Sequence, residues 1–302
     1  MDFGRLSDLR YVDFRLPPDH PGTAAALARA GTPQPPAIFV GCPIWTNKSW
    51  LGNYFPAGIK DAEFLSYYAR QFNSIELNTT HYRIPDAPTV RKWKAAVPAH
   101  FRFCPKLPQS ISHERQLYNA DDLTLTFCRA IEELGPNLGT AFLQLPPTFG
   151  PESLPRLERY LLDFPTTVPL AVELRHPGWY TDAGLREAVF EMLEALGKTL
   201  VLTDVAGRRD VLHMRLTTAT ALVRFNGHGL VPSDYRRADD WAARIADWLA
   251  AGLQTVYFFV HQKDIMHSPL WTQHFMAQLT ARTGLVLEPP RIIPQPVQGS
   301  LF

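Results

Sequence analysis

The alternation of hydrophobic and polar positions divides the chain into short strands, most of them followed by a helix. The predicted strands are apolar or alternating runs that cover residues 37–41, 72–78, 101–106, 139–146, 170–176, 199–204, 220–227 and 255–262. Helices are predicted over about 61–71, 88–97, 121–134, 152–163, 182–196, 238–251 and 269–283, with only a weak helical segment after the sixth strand.

This order of elements predicts right-handed βαβ crossovers and therefore a parallel sheet. Eight strand–helix units over about 250 residues fit a closed barrel. A doubly wound open sheet is the competing fold, and it is disfavoured because no Gly-rich loop follows the first strand. The sequence therefore predicts an α/β protein with a single (β/α)8 TIM-type barrel over residues 37–287.

Proline-rich segments flank the predicted barrel. Residues 1–36 form a predicted N-terminal extension that contains a short alanine-rich helix between proline clusters. Residues 288–302 form a predicted proline-rich C-terminal tail that cannot be regular helix. Both extensions are expected to lie against the body of the protein.

The fifth strand shows how the two faces of a barrel strand should differ. Val172 and Leu174 would face the surrounding helices, whereas Glu173 and Arg175 would face the barrel interior. Strand ends of the same kind elsewhere in the chain carry Cys42, Asn78, Lys106, Gln144, Asp204, Asn226 and His261. Because the active sites of these barrels lie at the carboxyl ends of the strands, we expect the functional site there.

Two glutamates and a histidine are the predicted catalytic residues: Glu173, Glu76 and His176. One glutamate would move a proton while nearby cations hold a phosphate or carboxylate. The predicted substrate-binding residues are Trp45, Asn78, Tyr82, Lys106, Gln144, Arg175, Trp179, Asp204, Arg224, Asn226, His228 and His261. The alternative is a purely structural network, because a buried carboxylate needs a cationic partner whatever the function.

The loop after the seventh strand, residues 225–229 (FNGHG), is a candidate phosphate site. Gly227 and Gly229 would let backbone N–H groups approach an anion, and His228 could donate as well. The alternative is a tight turn that needs positive φ angles.

A divalent metal and a stacked base are two further hypotheses. His176, His228, His261, Asp204 and the two glutamates could bind a metal, but no local motif such as HExxH is present, so no cofactor is predicted. The aromatic residues in loops after strands, which could stack on a base or pack on one another, are Trp45, Trp50, Tyr82, Trp179 and Tyr180. An inert buried thiol is expected at Cys42.

Composition and charge narrow the classes of partner. A formal net charge of +1 argues against a broad nucleic-acid-binding face. Three cysteines without a CxxC pair argue against a disulfide framework or a thiolate zinc site. No signal peptide is recognisable, and no run approaches the ~20 apolar residues of a membrane span. A cytoplasmic protein with no membrane association is therefore expected.

Several long motifs resemble one known family. They lie at residues 40–56, 72–85, 101–113, 134–149, 171–179 and 222–229, and include FNSIELNTTHYRIP and AVELRHPGW. The chain resembles the YecE-like family of bacterial and archaeal proteins, which is catalogued as a domain of unknown function. The resemblance implies a TIM-type barrel, and it implies no settled activity or cofactor.

The residues favour an enzyme that acts by acid/base chemistry on a small anionic, phosphorylated substrate. A hydrolase, a lyase and an isomerase are not distinguished. One alternative is a protein that binds single-stranded nucleic acid or a nucleotide through aromatic loops above a basic mouth. Another is a metal-assisted hydrolase or isomerase.

Overall fold

The computed structural model describes residues 3–29 and 35–293. The parts of the two predicted extensions at residues 1–2, 30–34 and 294–302 lie outside the described residues. The strands are β1 (Ala37–Cys42), β2 (Ser74–Leu77), β3 (Arg102–Pro105), β4 (Ala141–Gln144), β5 (Leu170–Glu173), β6 (Thr199–Asp204), β7 (Thr220–Asn226) and β8 (Thr255–His261).

All strand pairings are parallel, and the strand order runs β3-β2-β1-β8-β7-β6-β5-β4. The two end strands approach each other through single bridges, one of which joins Lys106 to Phe142. There the backbone N–H of Leu107 donates to the carbonyl of Phe142 at 3.0 Å. The sheet is therefore a nearly closed barrel, and the predicted α/β barrel is confirmed, whereas the open doubly wound sheet is wrong.

Alternate side chains of each strand face the interior and the helices, as the period of a β-strand requires. The lower interior is an apolar layer, and the cluster of buried side chains that fills it comprises Cys104, Phe142, Ala171, Val201, Leu222, Tyr257 and Phe259. Glu76, Glu173 and Arg224 lie above this layer, next to the carboxyl ends of the strands. Rings and aliphatic groups therefore close the interior below these three charged side chains.

The α-helices are α1 (Pro21–Ala28), α2 (Phe64–Tyr68), α3 (Thr79–Tyr82), α4 (Ala87–Ala95), α5 (Asp121–Glu132), α6 (Leu154–Asp163), α7 (Gly178–Thr181), α8 (Ala183–Ala195), α9 (Pro232–Ala250) and α10 (His267–Thr283). The helix predicted over 238–251 begins six residues earlier, at Pro232, because proline suits the first turn of a helix. Between β6 and β7, the 3₁₀ turn Arg209–Val211 stands where only a weak helical segment is predicted.

The N-terminal extension is held along the outside of the barrel and reaches its upper end. Arg244 on α9 donates to the carbonyl of Pro17 at 3.0 Å, and the Trp248 indole donates to the carboxylate of Asp19 at 3.0 Å. Nearer the start of the chain, the carbonyl of Gly4 accepts from the N–H of Gly207, in the segment after β6, at 2.7 Å. These contacts bring Phe3 to the mouth of the barrel.

Within the described residues, no helix combines the length and the apolar character that crossing a bilayer requires.

Candidate functional site at the carboxyl end of the barrel

A buried arginine on β7 joins two carboxylates from opposite sides of the barrel. Arg224 donates through Nε and Nη2 to the two oxygens of Glu76, both at 2.9 Å, and through Nη1 to Oε2 of Glu173 at 2.9 Å. Arg175 donates through Nε to Oε1 of Glu173 at 3.0 Å. We call these four side chains, which are at most 6% exposed, the mouth network.

Neutral and imidazole groups complete the hydrogen bonding of the two carboxylates. Glu173 also accepts from the side-chain amide of Gln144 at 2.7 Å and from the hydroxyl of Thr203 at 3.0 Å. Glu76 also accepts from Asn78 Nδ2 at 2.9 Å and lies 2.9 Å from Nε2 of His261. Each carboxylate is therefore surrounded by donors, which favours its ionised form.

The electrostatics follow from these partners. Burial alone would raise the pKa of Glu173, but the positive charges of Arg175 and Arg224 outweigh burial and lower that pKa to about 2. Burial opposes ionisation of Glu76 as well, yet Arg224 and His261 hold its pKa well below the usual value. Both glutamates are therefore ionised at neutral pH and cannot act there as proton donors.

A cavity of about 270 Å³ opens directly above the mouth network. Its walls come from the ends of five strands, β2, β3, β5, β7 and β8, and from the loop after β1, helix α3 and the N-terminal extension. The lining residues are Phe3, Arg5, Pro43, Glu76, Asn78, Tyr82, Lys106, Arg175, Arg224, Asn226 and His261. Eight predicted site residues thus meet around one space: Glu76, Asn78, Tyr82, Lys106, Arg175, Arg224, Asn226 and His261.

Two lining residues were not predicted as site residues because they come from the N-terminal extension. Phe3 lies with its ring 4.3 Å from the guanidinium carbon of Arg175 and 5.1 Å from that of Arg208. Arg5 is exposed and lines the same cavity. A contact between the start of the chain and the end of β5 has no local sequence signal, so periodicity could not reveal it.

Lys106 has a different environment from the arginines. Its ammonium nitrogen donates to the side-chain oxygen of Gln144 at 2.8 Å. Burial and the nearby charge of Arg224 lower the pKa of Lys106 to about 8. Gln144 lies behind the cavity wall and connects Lys106 to Glu173, so its role in the site is indirect.

Asp204 lies outside the cavity because its parity on β6 is the opposite of the one required. Thr203 faces inward to Glu173, so Asp204 faces helix α9. There its carboxylate accepts from Arg237 Nε at 3.0 Å and from the Trp241 indole at 2.8 Å. The carboxylate of Asp234 also accepts a hydrogen bond from Arg237, through Nη1 at 3.3 Å. We call Asp204, Asp234, Arg237 and Trp241 the wall cluster.

Two predicted site residues after β5 also do not line the cavity. Trp179 is fully buried, and its indole donates to the carbonyl of Phe149 at 2.9 Å. The Nδ1 atom of His176 accepts from the backbone N–H of Gly178 at 2.9 Å, which fixes the turn into α7. The short loop after β5 is thus occupied by its own packing and hydrogen bonds.

Trp45 also packs within the protein, with its ring edge-on to Trp93 at 6.0 Å. Tyr82 is the predicted stacking residue that stays accessible, because 71% of it is exposed at the cavity rim. One exposed ring gives little support to an extended base-stacking surface.

The backbone N–H groups of the loop after β7 donate to acceptors within the protein. The N–H of Gly227 donates to the carbonyl of His261 at 2.7 Å, and that of Gly229 donates to the side chain of Gln262 at 3.0 Å. The N–H of His228 donates to Asp234 at 2.8 Å. Gly229 has a positive φ of 99°, and a Cβ on Gly227 would meet the Gln262 side chain at 2.3 Å. Backbone geometry and close packing therefore account for these glycines, and the loop offers none of these three amides to a phosphate.

Within residues 3–29 and 35–293, no three His, Cys, Asp or Glu side chains are grouped so that they could hold a metal ion. Cys42 is buried, and burial raises the pKa of its thiol. Three larger hollows in the described part of the chain, of about 690, 640 and 460 Å³, lie along the N-terminal extension, at the opposite end of the barrel, and between the extension and α9. The smaller cavity above the mouth network is the one that gathers the predicted chemistry.

Comparison with known proteins gives a consistent result. Residues 39–296 match the model of the family described as "Protein of unknown function DUF72". The UPF0759 protein YecE of Escherichia coli K12 is 31% identical over 283 residues, which cover 88% of this chain and all of that protein. The matched family range begins after the N-terminal extension, so Phe3 and Arg5 lie outside it.

Solved structures agree on the fold. A crystal structure of a DUF72 family protein from Enterococcus faecalis has a TM-score of 0.62 and 20% identity, over 83% of this chain and 98% of that one. A second crystal structure of a DUF72 protein from that organism has a TM-score of 0.59 over 84% of this chain. At this level of identity the likeness extends to the fold.

Proposed function

This chain belongs to the DUF72 family, whose description assigns no activity, and on that premise we propose that it is an enzyme acting by acid/base chemistry on a small phosphorylated molecule. The proposed site is the cavity above the mouth network. The supporting observation is that, among the described residues, four cations and one carboxylate line it: Arg5, Lys106, Arg175, Arg224 and Glu76.

The charge balance of this space favours an anionic ligand. Arg175 and Arg224 balance the charges of the two glutamates, whereas Arg5 and Lys106 add positive charge to the cavity wall. A volume of about 270 Å³ suits a small molecule rather than a polymer. Guanidinium groups bind phosphate and carboxylate with directional hydrogen bonds, so Arg175 is well suited to hold the anionic end.

His261 is the best-placed group for proton transfer. Its ring lines the cavity, and Nε2 lies 2.9 Å from Glu76, as in sites where a carboxylate orients a histidine that works as a base. Glu76 and Glu173 stay ionised, so they support this histidine and the arginines. Of the roles predicted for the two glutamates, we therefore keep two: they orient His261 and the arginines, and they can accept a proton, but they do not donate one.

Ligand binding tests the first half of the proposal. Inorganic phosphate and a panel of sugar phosphates, nucleoside monophosphates and phosphorylated carboxylic acids would be screened by thermal shift and calorimetry. We expect binding by the unmodified protein that Arg175→Met weakens about tenfold or more. Arg102→Met is the matched control, because Arg102 lies on β3 at the opposite end of the barrel, over the ring of Phe39.

Proton transfer tests the second half. Compounds that bind would be incubated with the protein and followed by proton and phosphorus NMR. We expect conversion, or exchange of a carbon-bound proton with solvent, that His261→Gln slows about 100-fold or more. His274→Gln is the control, since His274 pairs with Asp239 at 2.7 Å on the outer helices. Failure of every compound to bind, or equal rates in both variants, would contradict the proposal.

A further inference from the structure

Lys106 is a buried lysine whose hydrogen-bond partner is neutral. It is 3% exposed, and its nitrogen donates to the Gln144 amide oxygen at 2.8 Å. Over the part of the chain that the structure describes, no carboxylate lies within 4.0 Å of this nitrogen. Both nearby glutamates are engaged by Arg175 and Arg224 instead. Burial without a paired anion lowers the pKa of this amine to about 8, so most of it keeps its charge at neutral pH while a fraction is present as the neutral amine.

The neutral fraction of a lysine that faces a ligand cavity is a nucleophile. The same cavity presents Arg175 and Arg5, which would hold the anionic end of a bound molecule. The amine would then face the other end of a molecule that fits a space of about 270 Å³. This arrangement is suited to a carbonyl group placed a few bonds away from a phosphate or carboxylate.

Two neutral histidines lie beside Lys106. The rings of His81 and His113 are 5.0 Å apart. Burial, together with the charge of Lys106, lowers the pKa of each to about 4, so both are neutral at pH 7. His81 Nδ1 donates to the carbonyl of Leu107 at 2.8 Å, which leaves Nε2 as the acceptor nitrogen of the neutral ring. A proton acceptor is therefore available close to the amine.

We propose that Lys106 forms an imine with a small anionic aldehyde or ketone bound in the cavity, which deepens and rests on the proposed function. The amine nitrogen attacks the carbonyl carbon, a C–N bond forms, and the carbonyl oxygen leaves as water after taking up two protons. Those protons come from the amine itself by way of a neighbouring histidine. One further proton, taken from solvent water, then protonates the imine nitrogen and makes it an electron sink, so a proton on the adjacent carbon becomes removable by His261.

Reductive trapping tests this step directly. The full chain would be incubated with glycolaldehyde phosphate and sodium cyanoborohydride, and the modified lysines would be mapped by peptide mass spectrometry. We expect Lys106 to be labelled about tenfold or more faster than Lys198. Lys198 is the internal control because it is also buried but lies over the ring of Phe164, away from the cavity.

The variants separate this step from ligand binding. Lys106→Met should abolish labelling at that peptide, whereas Lys198→Met should leave it unchanged. Lys106 labelled no faster than Lys198, while phosphate still stabilises the protein, would overturn the imine and leave the proposed function standing. Absence of both labelling and phosphate binding would overturn both. Site mapping on the unmodified protein keeps the test valid even if Lys106→Met does not fold.

Discussion

The barrel contains two buried groups of arginine and carboxylate that use the same chemistry in different settings. The wall cluster lies between β6 and α9, where Arg237, Asp204 and Asp234 are each fully buried. The mouth network is almost as buried but has a cavity on its upper side. Burial of paired charges therefore does not by itself indicate function. Three side chains of the mouth network line its cavity, whereas of the wall cluster Arg237 alone lines the neighbouring hollow of about 460 Å³.

The partners of the two groups differ in the same way. Arg237 in the wall cluster also donates to the backbone carbonyls of Asp204 and Asn226, at 3.0 and 3.1 Å, and so joins two strand ends to α9. The mouth network meets Lys106 through Gln144, and Lys106 brings in charge without a carboxylate partner within 4.0 Å in the described chain. A group of paired charges that only stabilises the fold does not need an additional lysine of this kind.

The largest expected effect is the loss of stability when the wall cluster is broken. Arg237→Met removes a buried cation that pairs with both Asp204 and Asp234, although Arg209 and Trp241 still bind Asp204, so the free energy of unfolding should fall by ~3–5 kcal/mol. Urea denaturation measures this change. The variant that remains folded should bind phosphate as the unmodified protein does. A selective loss of phosphate binding would show that the wall cluster belongs to the site.

Acid should weaken the mouth network next. The folded pKa of Glu173, about 2, lies below the ordinary value of 4.5, so its contribution is present above pH 4.5 and is lost as pH falls toward 2. The free energy of unfolding should fall by roughly 3 kcal/mol over this range because of this group. The difference in pH dependence between the unmodified protein and Glu173→Gln isolates it. Parallel pH profiles would contradict the ion pairing of Glu173.

Lys106 should contribute much less to stability than the arginines. Lys106→Met removes one hydrogen bond to Gln144 but also removes an amine whose burial is costly, so we expect a change of about 1 kcal/mol or less. Phosphate binding should nevertheless weaken, since positive charge leaves the cavity wall. Thermal unfolding with and without phosphate measures both effects. A stability loss as large as that of Arg237→Met would place Lys106 in a structural network.

Periodicity was sufficient to predict the barrel and most of the inward-facing side chains. Glu76, Lys106, Glu173, Arg175 and Arg224 all follow from strand parity and from the rule that carboxyl ends share one rim. The prediction was weaker where the last residue of a strand was assigned to the site without checking whether its position in the inward–outward alternation faces the barrel interior. Asp204 is such a case, because the neighbouring Thr203 occupies the inward position on β6.

Contacts between distant segments could not be read from local patterns. The sequence shows that Trp179 follows a strand, but only the fold shows that its indole is buried against Phe149. Likewise, nothing near Phe3 or Arg5 indicates that the extension crosses the top of the barrel. The hydrogen bonds of Glu173 likewise come from four segments that are distant in sequence and are brought together only by the fold. The donors are Gln144, Arg175, Thr203 and Arg224.

The smallest expected loss of stability comes from shortening side chains of the N-terminal extension. The extension contacts each charged group through one half-buried phenylalanine ring that lies over an arginine. Phe3 lies over Arg175 at 4.3 Å, and Phe14 lies over Arg237 at 4.9 Å. Each contact of this kind contributes about 0.5–1 kcal/mol, so Phe3→Ala and Phe14→Ala should destabilise the protein by similar small amounts. They should differ in ligand access.

Phe3→Ala removes part of the cavity wall and uncovers Arg175, so phosphate should associate and dissociate faster than in the unmodified protein, whereas Phe14→Ala should leave both rates unchanged. Stopped-flow measurement of the two rate constants separates access from affinity. If both variants changed the rates equally, the extension would be acting as one stabilising segment. If neither did, Phe3 would pack beside the site without limiting entry, and the mouth would be open to ligand in spite of the ring above it.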